Sequence, residues 1–166
     1  GDISKWNVSK VEDMSYMFEE LGYNNPNFTL DVSNFDTSKV TDMGYMFQNC
    51  GYTAMTSLDL GEKFDTSNVT DMTMMFQSCE SLTELNLSNF DTSKVTNMSG
   101  MFQGCIVKKT LILGNNLIIK RDSLPMGKWI KVKDVNGELT NDNTVYTAEQ
   151  IVRLSNSTTP TIGGTW

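Results

Sequence analysis

The 166-residue chain contains no histidine, only three cysteines and only three prolines. The missing histidines remove the usual general base of catalysis and the commonest borderline metal ligand. No run of the sequence approaches the roughly 18 apolar residues that span a bilayer, so we expect no membrane insertion. Glycine and proline are also too scarce for a linker or a collagen-like chain. We therefore expect no catalytic residues, no metal and no cofactor.

Positive charge is in the minority. The 13 Lys and Arg residues stand against 20 Asp and Glu residues, which gives a formal net charge of −7. Binding to nucleic acids and to anionic membranes depends on concentrated Lys and Arg. The charge balance therefore argues against both partners. The length fits one domain that can bury a core.

Internal repetition is the dominant feature of the sequence. Four segments align, and their first residues are 29, 29 and 26 positions apart. These four repeat units are WNVSKVEDMSYMFEEL (6–21), FDTSKVTDMGYMFQNC (35–50), FDTSNVTDMTMMFQSC (64–79) and FDTSKVTNMSGMFQGC (90–105). The underlying period is 26 residues, with three-residue insertions at GYNNPNF and GYTAMTS.

Two patterns predict the local structure. Short runs such as LDV (30–32), LDL (58–60), LNL (85–87) and LIL (111–113) alternate like strands with one buried face. Within each unit, apolar residues recur at steps of three and four, which predicts a short helix or 3₁₀ turn. A 26-residue period lies within the range of leucine-rich repeats. We therefore predict an α/β solenoid: a leucine-rich-repeat-like, right-handed coil with a parallel β-sheet on one face and short helices or turns on the other.

The motifs FDTSKVTDM (35–43), MFQNC (46–50) and LTELNLSNF (82–90) together resemble the BspA-type leucine-rich repeats of bacterial surface proteins. The resemblance extends from Ile3 to about Leu113; the first unit departs from it at Trp6, Asn7-Val8 and Leu21. It implies a parent protein that is exported and displayed on the surface of a Gram-positive bacterium. It also implies adhesion to host proteins, mucus or other cells, and it supplies no catalytic residues.

The sequence predicts two regions, a repeat solenoid over residues 1–113 and a C-terminal β/α cap over residues 114–166. GKWIKVKDVNGELT (127–140) predicts a β-hairpin with Asn136-Gly137 as its turn. Thr147 and Gln150 form a capping-box pattern before a short helix, and TPTIGGTW predicts a returning strand. Four residues are predicted either to pin this cap to the stack or to anchor a ligand: Arg121, Trp129, Tyr146 and Trp166.

The aligned apolar positions predict ladders inside the stack, because each unit buries its apolar face only against its neighbours. The predicted ladder comprises Met43, Phe47, Cys50, Met72, Phe76, Cys79, Met98, Phe102 and Cys105. The cysteines are predicted to act as small buried apolar residues. A disulfide between adjacent units is the alternative.

The outward positions of the strands predict a binding surface. On the concave face they would form an acidic, hydroxyl-rich strip of Asp31, Ser33, Asp59, Glu84, Asn86 and Ser88. A plain solvated sheet face is the alternative. The repeated Asp-Thr-Ser turns at 36–38, 65–67 and 91–93 are predicted to satisfy backbone N–H groups, with calcium binding as the alternative.

The sequence thus predicts an extracellular cell-surface binding or adhesion module whose partner is a host or cell-surface protein or a glycan. A structural spacer that presents other domains is the alternative. A hydrolase is not expected, because a catalytic carboxylate pair needs two different environments and repeated copies share one. We expect a monomer, and a fragment of a longer exported protein, since the chain begins within a repeat.

Overall fold

The computed structural model describes residues 3–105, 110–113, 117–118, 128–135, 138–147 and 164–165. Parallel strands form one side of the repeat region. Strand β1 (Ser57–Leu58) pairs with β2 (Glu84–Leu87), and β2 pairs with β3 (Thr110–Leu113). Glu84 lies opposite Thr110 in this register, and an isolated parallel bridge joins Asp31 to Asp59. Side chains of β2 alternate between exposed and buried, as a strand with one face on a core must.

The other side of each repeat unit consists of turns. Between Ile3 and Cys105 the structure contains no helix, so the short helix predicted there is replaced by turns at 15–24, 44–54, 73–78 and 99–104. In the second unit, the amides of Met46, Gln48 and Cys50 each donate to the carbonyl three residues earlier. The intervening amides donate to the next unit instead, as Phe47 does to the Met75 carbonyl at 2.9 Å.

Backbone conformation explains why no helix forms in these segments. Two positions of every unit have positive φ, the left-handed region that interrupts a right-handed helix. The first holds Tyr16, Tyr45, Met74 and Gly100, and the second holds Glu20, Asn49, Ser78 and Gly104. A bend at every fourth residue keeps the apolar side chains on one side and turns alternate amides toward the neighbouring unit.

The core lies between the strands and the turns. Aromatic rings from successive units stack along it: Phe18, Phe47, Phe76 and Phe102 follow one another with ring centroids 5.6 Å apart. All nine residues of the predicted interior ladder are buried, at 0–2% exposure. Stacking one unit on the next therefore buries an apolar face that a single unit would leave in water.

Threonine hydroxyls connect the units at a third side. Thr37 donates to the Asp65 carbonyl at 2.7 Å, and Thr66 donates to the Asp91 carbonyl at 3.0 Å. Thr92 continues the series to the carbonyl of Ile118. This hydrogen bonding extends the repeat pattern past residue 113, the predicted boundary of the solenoid.

Antiparallel strands follow the repeats. Strand β4 (Lys128–Val135) pairs with β5 (Glu138–Thr147), and β6 (Gly164–Thr165) lies between β3 and β4. The strand order among the described residues is β1-β2-β3-β6-β4-β5. Asn136 and Gly137, the predicted hairpin turn, separate β4 from β5 but lie outside the described residues. Thr147 of the predicted capping box is the last residue of β5, whereas Gln150 and the helix predicted there lie outside the described residues. The division into solenoid and cap and the leucine-rich-repeat class stay predictions.

Candidate binding surfaces

The strand face, defined as Asp31, Ser33, Asp59, Glu84, Asn86 and Ser88, is the binding surface predicted from the sequence. Asp31, Asp59, Glu84 and Asn86 are exposed, and so is Ser88, whereas Ser33 is half-buried. The parallel bridge between Asp31 and Asp59 makes these two carboxylates neighbours in adjacent units. Strand pairing therefore places Asp31, Asp59 and Asn86 in one row along the stack. Glu84 lies two residues before this row on its strand, and Ser33 and Ser88 lie two residues after it.

Each acidic or amide side chain of this row also caps the backbone two residues later. Asp31 Oδ1 accepts the Ser33 amide at 2.9 Å, and Asp59 Oδ1 accepts the Gly61 amide at 2.9 Å. Asn86 Oδ1 accepts the Ser88 amide at 3.0 Å. These Asx turns orient the carboxylates and bend the chain at the end of each strand.

Two grooves lie along the strand face. One of about 310 Å³ is lined in part by Asp31, Ser33, Ser57 and Asp59. The other, of about 270 Å³, is lined in part by Asp59, Asn86 and Ser88. Asp59 lines both grooves, so it is the charged residue that the two grooves share.

The Asp-Thr-Ser turns use the same capping geometry at another side of the units. Asp65 Oδ1 accepts the Ser67 amide, and Asp91 Oδ1 accepts the Ser93 amide, both at 2.8 Å. At Asp36, hydrogen bonds from the Ser38 hydroxyl and amide lower the pKa of the carboxyl. Within the described residues, no group of three or more Cys, Asp and Glu is placed to hold a metal ion.

The three cysteines lie in the core as free thiols. Burial raises the pKa of Cys50 and Cys105 to about 12, and it raises the pKa of Cys79 well above the ordinary thiol value. The Cys79 thiol lies 3.0 Å from the Phe47 carbonyl oxygen, to which it donates. Protonated thiols in this setting are poor nucleophiles and poor metal ligands.

The sequence did not predict two stacked tyrosine pairs, in each of which one ring is exposed and the other is half-buried. Tyr16 stacks on Tyr45 with ring centroids 4.6 Å apart, and Tyr23 stacks on Tyr52 at 4.7 Å. Tyr16 is 52% exposed. The repeated tyrosines indicated these pairs, because the first two units share Tyr at an aligned position and share Gly-Tyr in their insertions.

Two of the four candidate cap anchors, Arg121 and Trp166, lie outside the described residues. The other two, Trp129 and Tyr146, lie on strands β4 and β5.

Comparison with known families gives one finding. A family described as "Mycoplasma protein of unknown function, DUF285" matches residues 1–58 and 22–110. The chain belongs to this family. The DUF285 matches overlap, as expected when one family pattern aligns with more than one register of a repeated sequence, and together they contain all four repeat units. No curated protein and no solved structure matches the chain.

The DUF285 region ends at β3, so the antiparallel strands β4, β5 and β6 lie beyond it. The strand face and both tyrosine pairs lie inside it. In the described part of the chain there is also no helix long and apolar enough to cross a membrane.

Proposed function

We propose that this chain is an extracellular binding module of a bacterial surface protein, built as a BspA-type solenoid and without catalytic activity. Its partner is a host or cell-surface protein or a glycan, bound on the strand face. The observation that carries the proposal is the pair of grooves that share Asp59. Concave sites with a few fixed polar groups are the usual places where proteins bind ligands.

The chemistry of the strand face supports a partner with hydrogen-bond donors. Asp31, Asp59 and Glu84 are exposed carboxylates, and carboxylates accept hydrogen bonds from ammonium, guanidinium and hydroxyl groups. The Asx turns fix Asp31 and Asp59 before any partner arrives, so little side-chain entropy is lost on binding. A basic protein patch or a polyhydroxylated sugar satisfies these requirements.

Binding of the purified chain to a panel of host proteins, mucins and glycans tests the proposal, at low and at physiological salt. Saturable binding that weakens in the Asp59→Asn variant supports it. Asp65→Asn is the matched control, because Asp65 also caps an amide two residues later but lines neither strand-face groove. Binding that both variants weaken equally would show only a general charge effect and would contradict the proposal.

A structural spacer is the second candidate, and the Asx turns favour it. Asp31, Asp59 and Asn86 each hold a backbone amide, which explains their presence without any ligand. If no member of the panel shows saturable binding at micromolar concentrations, the result supports the spacer. In either case we expect a monomer, which size-exclusion chromatography with light scattering measures.

A further inference from the structure

A third groove, of about 280 Å³, is lined by residues of all four units. It is lined in part by Tyr16, Tyr45, Asp42, Gly44 and Asp71. None of these residues belongs to the strand face, and the groove shares no lining residue with the two strand-face grooves.

Two carboxylates converge in this groove above Gly44. Asp42 and Asp71 are paired by a parallel bridge between adjacent units. A Cβ atom at Gly44 would lie 3.2 Å from Asp42 Oδ1 and 3.5 Å from Asp71 Oδ1. Both carboxylate oxygens therefore border the position that a side chain at residue 44 would occupy.

Gly44 is the exception in its aligned position. The other units carry Ser15, Thr73 and Ser99 there. Its φ lies outside the left-handed region, so backbone conformation does not require glycine at this position. The missing side chain keeps this position free of a group that would press against both carboxylate oxygens.

Aromatic rings form the adjoining wall. Tyr16 and Tyr45 stack with an interplanar angle of 7°, and about half of the Tyr16 side chain is exposed. Burial and the neighbouring Tyr45 raise the pKa of Tyr16, and the charges of Glu19, Asp42 and Asp71 raise it further. The rings and the carboxylates thus share one negative environment.

An independent observation concerns Thr73, which also lines the groove. Its Oγ1 is buried and has no hydrogen-bond partner within the part of the chain that the structure describes. A buried hydroxyl without a partner is costly, so the lining of this groove contains an unsatisfied polar group.

We propose that this groove binds an arginine side chain of a partner protein, held by Asp42 and Asp71 and covered by the Tyr16–Tyr45 pair. Guanidinium presents several donors in a fixed plane, which suits two carboxylates that lie side by side. It also packs on aromatic rings better than ammonium does. Asp42 and Asp71 supply the complementary charge, and the groove lining contains no Lys or Arg.

Isothermal titration with a flexible Gly-Ser peptide that carries three arginines tests the inference. The same peptide with citrulline keeps the shape without the charge, and the lysine peptide keeps the charge without the planar fork. We expect saturable binding of the arginine peptide at about 150 mM salt, weaker binding of the lysine peptide and none of the citrulline peptide. Equal binding of the arginine and lysine peptides, abolished by salt, would overturn the inference in favour of non-specific attraction.

Variants locate the site. Gly44→Ser places a side chain against both carboxylate oxygens, and serine already occupies the aligned positions Ser15 and Ser99. Asp71→Asn removes one charge and reproduces Asn97, the aligned residue of the fourth unit. Each substitution is expected to weaken arginine-peptide binding at least about tenfold, with an unchanged thermal unfolding midpoint for Gly44→Ser as the control for folding. Unchanged affinity in both variants would overturn the inference.

The strand-face variant separates this inference from the proposed function. Asp59→Asn is expected to weaken arginine-peptide binding less than Gly44→Ser or Asp71→Asn does, because Asp59 does not line the groove. If Asp59→Asn weakens arginine-peptide binding and the groove variants do not, the arginine site is wrong, whereas binding on the strand face gains support. Panel binding lost only in Asp59→Asn, with arginine-peptide binding lost only in Gly44→Ser, would establish two separate surfaces.

Discussion

Gly61 packs directly against the backbone of Ser33 in the neighbouring unit. A Cβ atom at Gly61 would lie 2.6 Å from Ser33 Cα and still closer to the Ser33 carbonyl oxygen. The φ of Gly61 is also +71°, in the left-handed region. Residue 61, which follows strand β1, is therefore required to be glycine for two separate reasons, one steric and one conformational.

Substituting Gly61 by alanine is expected to destabilise the protein by about 3 kcal/mol or more, because the clash adds to the conformational cost. Gly100→Ala is the matched control, since Gly100 has φ +64° but its nearest neighbours are flexible side-chain atoms at 3.2 Å. It is expected to cost only about 1 kcal/mol. Urea unfolding of both variants measures the difference, and equal losses would show that the contact with Ser33 is unimportant.

Truncation of Phe47 tests the aromatic stack in the core. Phe47 is fully buried and lies between Phe18 and Phe76, with both centroids 5.6 Å away. Phe47→Ala is expected to lower the free energy of unfolding by about 3–5 kcal/mol. The exposed Trp6 gives a contrast, because Trp6→Ala should change it by no more than about 0.5 kcal/mol. Similar losses in the two variants would contradict the packing described for the core.

The thiols are expected to be inert in the folded protein. Cys50, Cys79 and Cys105 are buried, and burial raises the pKa of each of them, so the reactive thiolate is scarce at neutral pH. A chromogenic disulfide reagent at pH 8 should label all three only after denaturation. Labelling of the native protein at the unfolded rate would show that the core opens, and a band shift on non-reducing gels would reveal a disulfide.

The pH dependence of stability should include a contribution from Asp36. Hydrogen bonds from Ser38 hold the pKa of Asp36 below the ordinary value of 3.8. A depressed pKa in the folded state stabilises the protein above the unfolded pKa, and the effect disappears as pH falls through the folded pKa. Ser38→Ala removes the hydroxyl donor, so the pKa of Asp36 should rise toward 3.8. Carbon-detected NMR titration measures it, and an unchanged pKa would show that the Ser38 hydroxyl does not cause the shift.

The repeat made part of this structure predictable. Residues such as Met43, Phe47 and Cys50 recur with the unit, and burial follows the recurrence because stacked units place equivalent positions together. The alternation at Leu85 and Leu87 likewise anticipated a strand with one exposed row. Periodicity alone was therefore enough to separate inside from outside.

The turns were not predictable from apolar spacing. Steps of three and four describe a helix, but a chain with a left-handed residue at every fourth position places apolar side chains with the same spacing. Glycine at Gly100 and Gly104 indicated left-handed positions in the fourth unit. The aligned Tyr45 and Asn49 of the second unit are not glycines, although they have the same conformation. The tyrosine groove was missed for a related reason: Tyr16 and Tyr45 meet only because adjacent units bring aligned residues together.

The alternating amides of the turns have a mechanical consequence. Phe47, Tyr45 and Asn49 donate to one neighbouring unit, while Gln48 donates within its own unit, so consecutive units are joined by parallel rows of hydrogen bonds along the stack. Tension applied at the chain ends would peel these rows apart in sequence rather than break all of them at once. Each released unit would lengthen the chain by about 90–100 Å. A stack of such units would therefore unfold one unit at a time under tension, and each unfolding step would dissipate part of a sudden load.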